Sequence, residues 1–406
     1  MTMLLADNLR KNRLFASVKS EVQFREAFES ELKVHENHRG SVLEVVVQDS
    51  RPESIAKILA SVVSGVPIVL TSRTWGSWTR SALEEVWDVA VREQGVLIRT
   101  GGSSGRVKFA IHTWDSLECS AVNLGRYWKE VPMSACLELP LFHISGLMPV
   151  VRALVSGGVL FDDYQDVGED NYGMRFGSVV PTTLYRALED PRRCEFLRGL
   201  DCVYGGGAAF SDDLLVRARA LGIPLGLVYG MTETGAMVAV QRPSDFLKGE
   251  SAAVDHIPGN QISVASDGEI FIDSDQLFYG YWGADPRAAG PWATGDLGQI
   301  DERGRLRVLG RKGRFVNSGG ETISLERIEL AGTRLDGVTD AFAMSVLDPE
   351  WGDRVHLFLE TSDSNRDWRA LLKRDLDGPE VPAVVKVLQK IPRNAAGKVD
   401  TDKILS

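Results

Sequence analysis

Apolar residues in the first half of the chain fall into short runs that alternate with segments of helical spacing. Residues 43–48 and 66–71 are rich in Val, Ile and Leu, and between them lies a segment with one apolar helical face. That face is formed by Ile55, Ile58, Leu59, Val62 and Val63. A run, a helical segment and a second run predict two parallel strands joined by a crossover helix.

The same order of strand, helix and strand recurs twice more before residue 230. The runs at 135–139 and 159–161 bracket a helix at 146–155, and those at 200–204 and 225–229 bracket a helix at 211–221. Ser211 suits the start of the last helix, because its hydroxyl can accept a hydrogen bond from a free backbone N–H group. Residues 1 to about 230 are therefore predicted to form an α/β body of doubly wound parallel sheets.

The pattern changes after residue 230. Short alternating segments at 261–264, 269–272 and 305–309 are separated by glycine turns, which predicts a small β-rich subdomain. Strand and helix signals return beyond Arg311, which predicts a small α+β lid. The predicted domains are residues 1–312 and residues 313–406.

Composition excludes several classes of protein. The 406 residues are 44% hydrophobic and 25% charged, with a net charge of −10, so a nucleic-acid binder with a basic face is not expected. No apolar run approaches the length needed to cross a membrane, and the N-terminus lacks a signal-peptide core. Four cysteines without CxxC spacing indicate reduced thiols and predict a cytoplasmic protein.

Four polar, glycine-containing motifs follow one another at 100–108, 229–234, 294–321 and 392–398. The first combines accessible backbone N–H groups, hydroxyls and a basic end, which suits a polyphosphate, although it lacks the Gly-Lys-Ser/Thr ending of a Walker A loop. In the third, Asp296 is predicted to lie on a tight turn and Arg311 to follow a short hairpin. A carboxylate can accept hydrogen bonds from both hydroxyls of a ribose, and an arginine adds donors nearby.

These four motifs, in this order, resemble those of the adenylate-forming superfamily of acyl-CoA synthetases, nonribosomal adenylation domains and luciferases. The resemblance implies ATP, Mg²⁺ and coenzyme A as ligands, with Thr232, Glu233 and Lys398 as catalytic residues and Glu233 on the metal. The nucleotide site that it implies contains Thr100, Gly101, Gly102, Ser103, Ser104, Gly105, Lys108, Gly206, Gly207, Ala208, Tyr229, Gly230, Thr232, Asp296, Arg311 and Lys398.

The resemblance also implies a channel for the pantetheine arm of coenzyme A at Ser318, Gly319 and Gly320, and a hinge at Gly313 about which the C-terminal lid moves. The chain departs from the family's phosphate loop at three positions, where Gly101 replaces serine, Val107 replaces proline and Phe109 replaces glycine. The hinge position is usually aspartate in the family, and Asp400 stands where a basic residue usually follows the catalytic lysine.

The segment at 139–146 resembles the family's Pro-Leu-Phe-His motif, which implies an acyl pocket containing His143, Ser145, Gly146 and Thr182. Within the superfamily the chain is most similar to the o-succinylbenzoate–CoA ligases of menaquinone synthesis, and a diacid needs a cation or hydroxyls deep in the pocket. Arg152, Thr182 and Arg186 are the candidates for that role. The alternatives are another aryl- or medium-chain acyl-CoA ligase, an enzyme that loads a carrier protein, and a non-catalytic nucleotide-binding relative. The oligomeric state stays open.

Overall fold

The computed structural model describes most of the chain. The described residues are 3–38, 41–47, 51–73, 75, 77–87, 89, 95–101, 107–161, 174–207, 210, 212–250, 253–312, 314–318, 321–348, 352–376, 380–393 and 399–405. They divide into two compact units. The first unit contains residues 1–263, 271–292 and 300–307, and the second contains residues 264–270, 293–299 and 308–406.

The helices are α1 (Met3–Lys11), α2 (Val18–Glu36), α3 (Arg51–Ser64), α4 (Ser77–Glu84), α5 (Trp114–Tyr127), α6 (Ile144–Ser156), α7 (Pro181–Glu189), α8 (Pro191–Arg198), α9 (Asp212–Ala220), α10 (Pro243–Leu247), α11 (Leu325–Thr333), α12 (Trp368–Leu372) and α13 (Thr401–Leu405). A short 3-10 turn spans Thr232–Thr234.

The strands are β1 (Leu43–Val47), β2 (Ile68–Ser72), β3 (Gly95–Gly101), β4 (Val107–Thr113), β5 (Met133–Cys136), β6 (Leu160–Phe161), β7 (Met174–Val179), β8 (Cys202–Gly205), β9 (Leu225–Met231), β10 (Ala236–Val240), β11 (Asp255–His256), β12 (Gln261–Val264), β13 (Glu269–Asp273), β14 (Gly280–Tyr281), β15 (Trp292–Ile300), β16 (Leu306–Arg311), β17 (Phe315–Ser318), β18 (Glu321–Ser324), β19 (Asp340–Asp348), β20 (Gly352–Glu360) and β21 (Val384–Leu388).

Two sheets lie wholly within the first unit. The first sheet has the order β1-β2-β3-β4-β14, and the second has the order β11-β10-β9-β8-β7-β5-β6. Strands β1, β2 and β3 pair in parallel, as do β6, β5, β7, β8 and β9. The three predicted strand–helix–strand units all lie within these parallel runs, so the α/β prediction is confirmed.

Both sheets end in antiparallel strands, which the sequence pattern did not predict. Strand β4 pairs antiparallel with β3 and β14, and β10 pairs antiparallel with β9. The connection from β9 to β10 is a single short turn, too short for the crossover that a parallel partner requires. The motif at 100–108 therefore contains the end of β3 and the start of its antiparallel partner β4, and the motif at 229–234 contains the end of β9 and the turn before β10.

Helix ends in the first unit follow local chemistry. Helix α5 begins after Thr113, whose Oγ1 accepts a hydrogen bond from the backbone N–H of Ser116 at 3.1 Å. Helix α6 ends at Gly157, which adopts φ +73°, a left-handed conformation that glycine allows without strain. Both helices bury apolar faces in the core of this unit, and so they fix the residues at their ends.

The second unit contains part of a four-stranded sheet, in the order β12-β13-β15-β16, and a separate sheet, in the order β18-β17-β20-β19 with β21 beside β20. Helix α11 is capped by Ser324, whose Oγ accepts from the backbone N–H of Arg327 at 3.2 Å. Ile328 on this helix is fully buried in a core with Leu357 and Leu359 of β20. The predicted boundary at 312–313 and the predicted motion of the lid stay predictions.

None of the helices in the described part of the chain is both long enough and apolar enough to cross a membrane.

Candidate functional site

The carboxylate of Glu233 is the centre of a polar cluster in the first unit. Glu233 lies in the 3-10 turn and is only 7% exposed. Its Oε1 atom accepts hydrogen bonds from Thr100 Oγ1 at 3.1 Å and from the Tyr281 hydroxyl at 2.9 Å. The ammonium of Lys108 lies 4.7 Å from the centre of the Tyr281 ring. Residues from β3, β4, β14 and the 3-10 turn therefore meet around one buried carboxylate with a cation nearby.

The backbone of Thr232 is fixed by a buried histidine on β4. The Nε2 atom of His112 lies 2.6 Å from the carbonyl oxygen of Thr232, and its Nδ1 lies 3.1 Å from Ser116 Oγ. A carbonyl oxygen can only accept, so we assign the proton to Nε2. Burial lowers the pKa of His112 from 6.5 to about 4, so the imidazole is neutral at physiological pH. The histidine thus positions Thr232 without adding charge.

Glycines in the two neighbouring motifs permit close approach of the backbone. A Cβ atom on Gly230 would lie 2.0 Å from the carbonyl oxygen of Ala236 on the paired strand β10, so only glycine fits there. Gly207 adopts φ +81°, and a Cβ atom on Gly206 would lie 2.6 Å from the Val228 side chain. Tyr229, beside them, is 8% exposed. A larger residue at Gly206 or Gly207 of the predicted nucleotide site would therefore meet a neighbouring side chain or strain the backbone.

Asp296 and Arg311 form an ion pair in the second unit. The Nη1 atom of Arg311 lies 2.6 Å from Oδ1 of Asp296, and Asp296 is 7% exposed. Glu326 lies near both residues, and burial raises the pKa of its carboxyl group. The two residues that the sequence predicted as ribose ligands are thus brought together, with a second carboxyl group close by.

The prediction of a tight turn around Asp296 is wrong. Residues 294–296 lie inside strand β15, where Gly295 adopts φ +74° without ending the strand. The Oγ1 atom of Thr294 donates to the carbonyl oxygen of Ile270 at 2.9 Å and accepts from the backbone N–H of Asp296 at 3.0 Å. This local hydrogen-bonded bend has the composition of a turn, but the strand pairing continues through it.

His143 and Ser145 are exposed at the start of helix α6. The ring of His143 lies 4.6 Å from that of Phe142, and burial by neighbouring atoms together with the charge of Arg99 lowers the pKa of His143. Position 146 requires glycine, because a Cβ atom there would lie 2.1 Å from the backbone carbonyl oxygen of Pro140. This segment therefore offers one neutral imidazole and one hydroxyl to a ligand.

Arg152 differs from the other two candidates for the acyl pocket. Thr182 and Arg186 are exposed on helix α7, whereas Arg152 is 5% exposed on helix α6. Its Nε and Nη2 atoms have no hydrogen-bond acceptor among the residues that the structure describes. Burial lowers the pKa of the guanidinium to about 10, so it stays charged at neutral pH.

The Arg152 side chain borders a small cavity between helix α6 and the second sheet. The cavity measures about 10 Å³, which admits one water-sized group such as a carboxylate oxygen but no ring. The other residues that line it are Met133, Ala135, Pro149, Phe176, Ser178 and Tyr204. A buried cation with free donors beside such a space is a candidate site for a terminal carboxylate.

Several predicted site residues lie outside the described part of the chain. They are Gly102, Ser103, Ser104, Gly105, Ala208, Gly313, Gly319, Gly320 and Lys398. Of the neighbouring predicted residues, Gly101 ends strand β3 and Ser318 ends strand β17. Their predicted roles stay predictions.

Sequence reasoning missed two residues in the first unit that contact the predicted catalytic residues, Tyr281 and His112. Tyr281 is 48 positions from Glu233, and His112 is 120 positions from Thr232. The one available signal was local, because His112 follows the apolar residues Phe109, Ala110 and Ile111 just after the phosphate motif. No spacing rule connects Tyr281 to the motif at 229–234.

Comparisons with known proteins agree on one family. The chain is similar to the 2-succinylbenzoate–CoA ligase of Listeria monocytogenes serotype 4b, with 28% identity over 380 residues, which cover 89% of this chain and 78% of the relative. It is also similar to the enzyme of that name from Geobacillus kaustophilus, with 29% identity over 353 residues, which cover 79% of this chain and 71% of the relative.

Solved structures show the same fold. The o-succinylbenzoate CoA synthetase of Bacillus subtilis, in complex with the acyl-adenylate intermediate OSB-AMP, superposes with a TM-score of 0.81 at 22% identity, covering 99% of this chain and 98% of that one. The same enzyme in complex with ATP and magnesium ion gives a TM-score of 0.79 at 23% identity, covering 99% of each chain. The family profile described as AMP-binding enzyme matches residues 25–282, more than half of the sequence, and the chain belongs to that family.

Proposed function

We propose that this protein joins a carboxylic acid to coenzyme A through an acyl-adenylate, with ATP and Mg²⁺, and that the acid is 2-succinylbenzoate. Relatives that align over most of this chain carry the name 2-succinylbenzoate–CoA ligase. In the reaction, a carboxylate oxygen bonds to the α-phosphorus of ATP and pyrophosphate leaves. The thiol of coenzyme A then takes the acyl group, and AMP leaves.

The cluster around Glu233 suits the phosphate end of the nucleotide. A buried carboxylate is a hard oxygen ligand, and Mg²⁺ on phosphates commonly takes only one or two protein carboxylates. The hydroxyls of Thr100 and Tyr281 both bind Oε1 and so orient the carboxylate, and we assign the other oxygen, Oε2, to the metal. A magnesium ion at this position would neutralise charge on the phosphates. Lys108 adds a positive charge on the same side.

The pair in the second unit suits the sugar. Asp296 is buried and accepts from Arg311 Nη1 at 2.6 Å. A carboxylate has two oxygens with about four lone-pair sites, which suits it to binding ribose hydroxyls as well as an arginine. Arg311 fixes the direction of that carboxylate. Lys398, which the family resemblance implicates in adenylation, completes the proposed catalytic set together with Thr232 and Glu233.

The burial of the Arg152 guanidinium is the observation that supports a dicarboxylic acid as the substrate. A buried guanidinium with unpaired donors is unfavourable unless an anion reaches it, so the free protein holds a site that a carboxylate would satisfy. The activated carboxylate must face ATP, and therefore a second carboxylate on the same acid is the group that fits Arg152. A dicarboxylic acid such as 2-succinylbenzoate has that second group, whereas benzoate and fatty acids do not.

The test is carboxylate-dependent exchange of pyrophosphate into ATP across matched acids, followed by thioester formation with coenzyme A. The panel contains the diacid 2-succinylbenzoate and two analogues that each lack one of its carboxylates, 4-oxo-4-phenylbutanoate and 2-butanoylbenzoate. Benzoate and octanoate complete the panel. We expect the diacid to be used best. Arg152→Leu is expected to raise the KM for the diacid roughly 10- to 150-fold, the equivalent of one lost charge-assisted hydrogen bond, with the KM for ATP unchanged.

Arg186→Leu is the matched control, because Arg186 is an exposed arginine on the neighbouring helix α7. It should leave both KM values unchanged. Exchange with benzoate or octanoate but not with the diacid would identify another aryl- or medium-chain ligase. Exchange without any thioester in the presence of coenzyme A would identify an enzyme that loads a carrier protein.

The remaining partners follow from this function. The ligands are small molecules, and the net charge of −10 gives no reason to expect nucleic acid among them. We place the enzyme in the cytoplasm, because its four cysteines form no disulfide bond within the described part of the chain, which suits a reducing compartment.

A further inference from the structure

Arg152 rests against a rigid group of aromatic side chains. Its Cζ atom lies 5.7 Å from the centre of the Tyr204 ring. The Tyr204 hydroxyl accepts a hydrogen bond from Trp128 Nε1 at 2.8 Å, and the Phe176 ring stacks on Tyr204 at 5.3 Å with an interplanar angle of 3°. The Tyr204 ring is therefore fixed at its hydroxyl and on one face.

This contact matters because little else directs the arginine. Arginine has several rotatable bonds, and two of its guanidinium nitrogens find no acceptor in the described part of the chain. Arg152 is 5% exposed and Tyr204 is 4% exposed, so the attraction between cation and ring acts where water is excluded. A desolvated cation–π contact is stronger than an exposed one. The ring thus holds the guanidinium beside the cavity that both residues line.

The position of Tyr204 on strand β8 also connects two parts of the site. Side chains alternate along a strand, so Tyr204 and Gly205 point to opposite faces of the sheet. A Cβ atom on Gly205 would meet Leu225 and Phe210, whereas the Tyr204 ring packs beneath helix α6. The same strand leads directly into Gly206 and Gly207 of the predicted nucleotide segment.

We propose that Tyr204, held by Trp128, is a positioning residue that aims Arg152 at the second carboxylate of the acid and so sets the preference for dicarboxylic over monocarboxylic substrates. This inference rests on the proposed function. Tyr204 acts through Arg152 and takes no part in adenylation, so its removal should weaken binding of the diacid and leave the use of ATP intact.

Tyr204→Leu removes the ring, and Tyr204→Phe keeps the ring but loses the hydroxyl. In Tyr204→Leu we expect the KM for 2-succinylbenzoate to rise roughly 5- to 30-fold, the range of a desolvated cation–π contact, at constant KM for ATP. The selectivity for the diacid over 4-oxo-4-phenylbutanoate should fall by the same factor. Tyr204→Phe should show a smaller rise. Tyr185→Leu is the matched control, since Tyr185 is 53% exposed and lies 5.5 Å from Arg217.

A double-mutant cycle separates positioning from general support of the fold. In the Arg152→Leu background, Tyr204→Leu should cause no further change in diacid selectivity, because the group that it positions is gone. Additive effects of the two changes, or an equal loss of activity with diacid and monoacid, would overturn the inference. Circular dichroism of each variant establishes that folding is intact, and Tyr204→Phe serves if Tyr204→Leu does not fold.

A wrong substrate assignment gives a different result from a wrong positioning contact. If the wild-type enzyme does not accept the diacid, the substrate assignment falls, and the contact is then tested by the same cycle on urea unfolding. Non-additive unfolding free energies for Arg152→Leu and Tyr204→Leu would support the positioning contact without any substrate. Additive values would refute it.

Discussion

The buried imidazole of His112 makes a quantitative prediction about acid stability. His112 is fully buried on strand β4, and the hydration that its protonated form loses outweighs the hydrogen bond to the carbonyl group of Thr232. The folded protein therefore holds this histidine neutral, while the unfolded chain exposes it to water. As pH falls, the unfolded state takes up a proton at a pKa near 6.5, and the folded state resists until about 4.

The sign and size follow from that difference. Between pH 6.5 and pH 4 the unfolded state binds more protons, so stability falls as pH falls, and below pH 4 this contribution is constant. A lowering of the pKa from 6.5 to about 4 corresponds to roughly 3 kcal/mol over the whole window. At pH 5.0 about 2 kcal/mol of this should already be lost relative to pH 7.5.

The assay is urea unfolding of the wild type and His112→Gln at pH 7.5 and pH 5.0. Glutamine cannot be protonated but can still donate to the carbonyl of Thr232. We expect the pH-dependent loss of stability to be about 2 kcal/mol smaller in the variant. Burial also lowers the pKa values of His35 and His256, so part of the acid sensitivity should remain.

His38→Gln provides the control, because His38 is an exposed histidine at the end of helix α2. It should leave the difference between the two pH values as in the wild type. Equal pH dependence in His112→Gln and the wild type would refute the reasoning. It would mean that the imidazole is protonated in the folded state or is already sheltered in the unfolded one.

Three further predictions concern the proposed site. Asp296→Ala should weaken ATP binding by roughly 1.5–3 kcal/mol for each lost ribose hydrogen bond, measured by calorimetry, and unchanged affinity would contradict a sugar contact. Tyr281→Phe should raise the magnesium concentration needed for half-maximal exchange several-fold, since Glu233 loses one orienting hydroxyl; an unchanged requirement would separate Tyr281 from the metal. Lys398→Ala should lose about 10²–10³ in the rate of adenylation yet still convert supplied acyl-adenylate to thioester, and equal loss of both steps would argue against a moving lid.

The sequence predicted the parallel core well because that signal is local. Apolar runs, helical spacing and short connections in one stretch of chain are enough to specify a strand, a crossover helix and the next strand. The segments around α3, α6 and α9 each confirmed this pattern. The prediction of a turn at Asp296 was wrong because it also used only local sequence. Thr-Gly-Asp has the composition of a turn whether or not a neighbouring strand pairs with it.

The contacts within the site could not be predicted in the same way. Thr100 meets Glu233 across 133 positions, and this contact depends on how β3, β4 and the 3-10 turn pack. Likewise, the sequence offered Arg152, Thr182 and Arg186 as equal candidates for the acid. Only burial separates them, and burial is a property of the assembled sheet and helices rather than of spacing.

Two of the positions at which this chain differs from the family's phosphate loop, Phe109 and Gly101, have different structural consequences. Phe109 replaces a glycine of the motif, yet it is 2% exposed on strand β4, and its ring lies 6.2 Å from Trp75 and 6.1 Å from Trp282. Its side chain belongs to an aromatic core, so this substitution adds packing in place of backbone freedom. Gly101 is the departure that removes a hydroxyl from the phosphate motif. Because Thr100 still donates to Glu233 and Lys108 stays beside Tyr281, the ends of the loop keep the groups that a nucleotide would need.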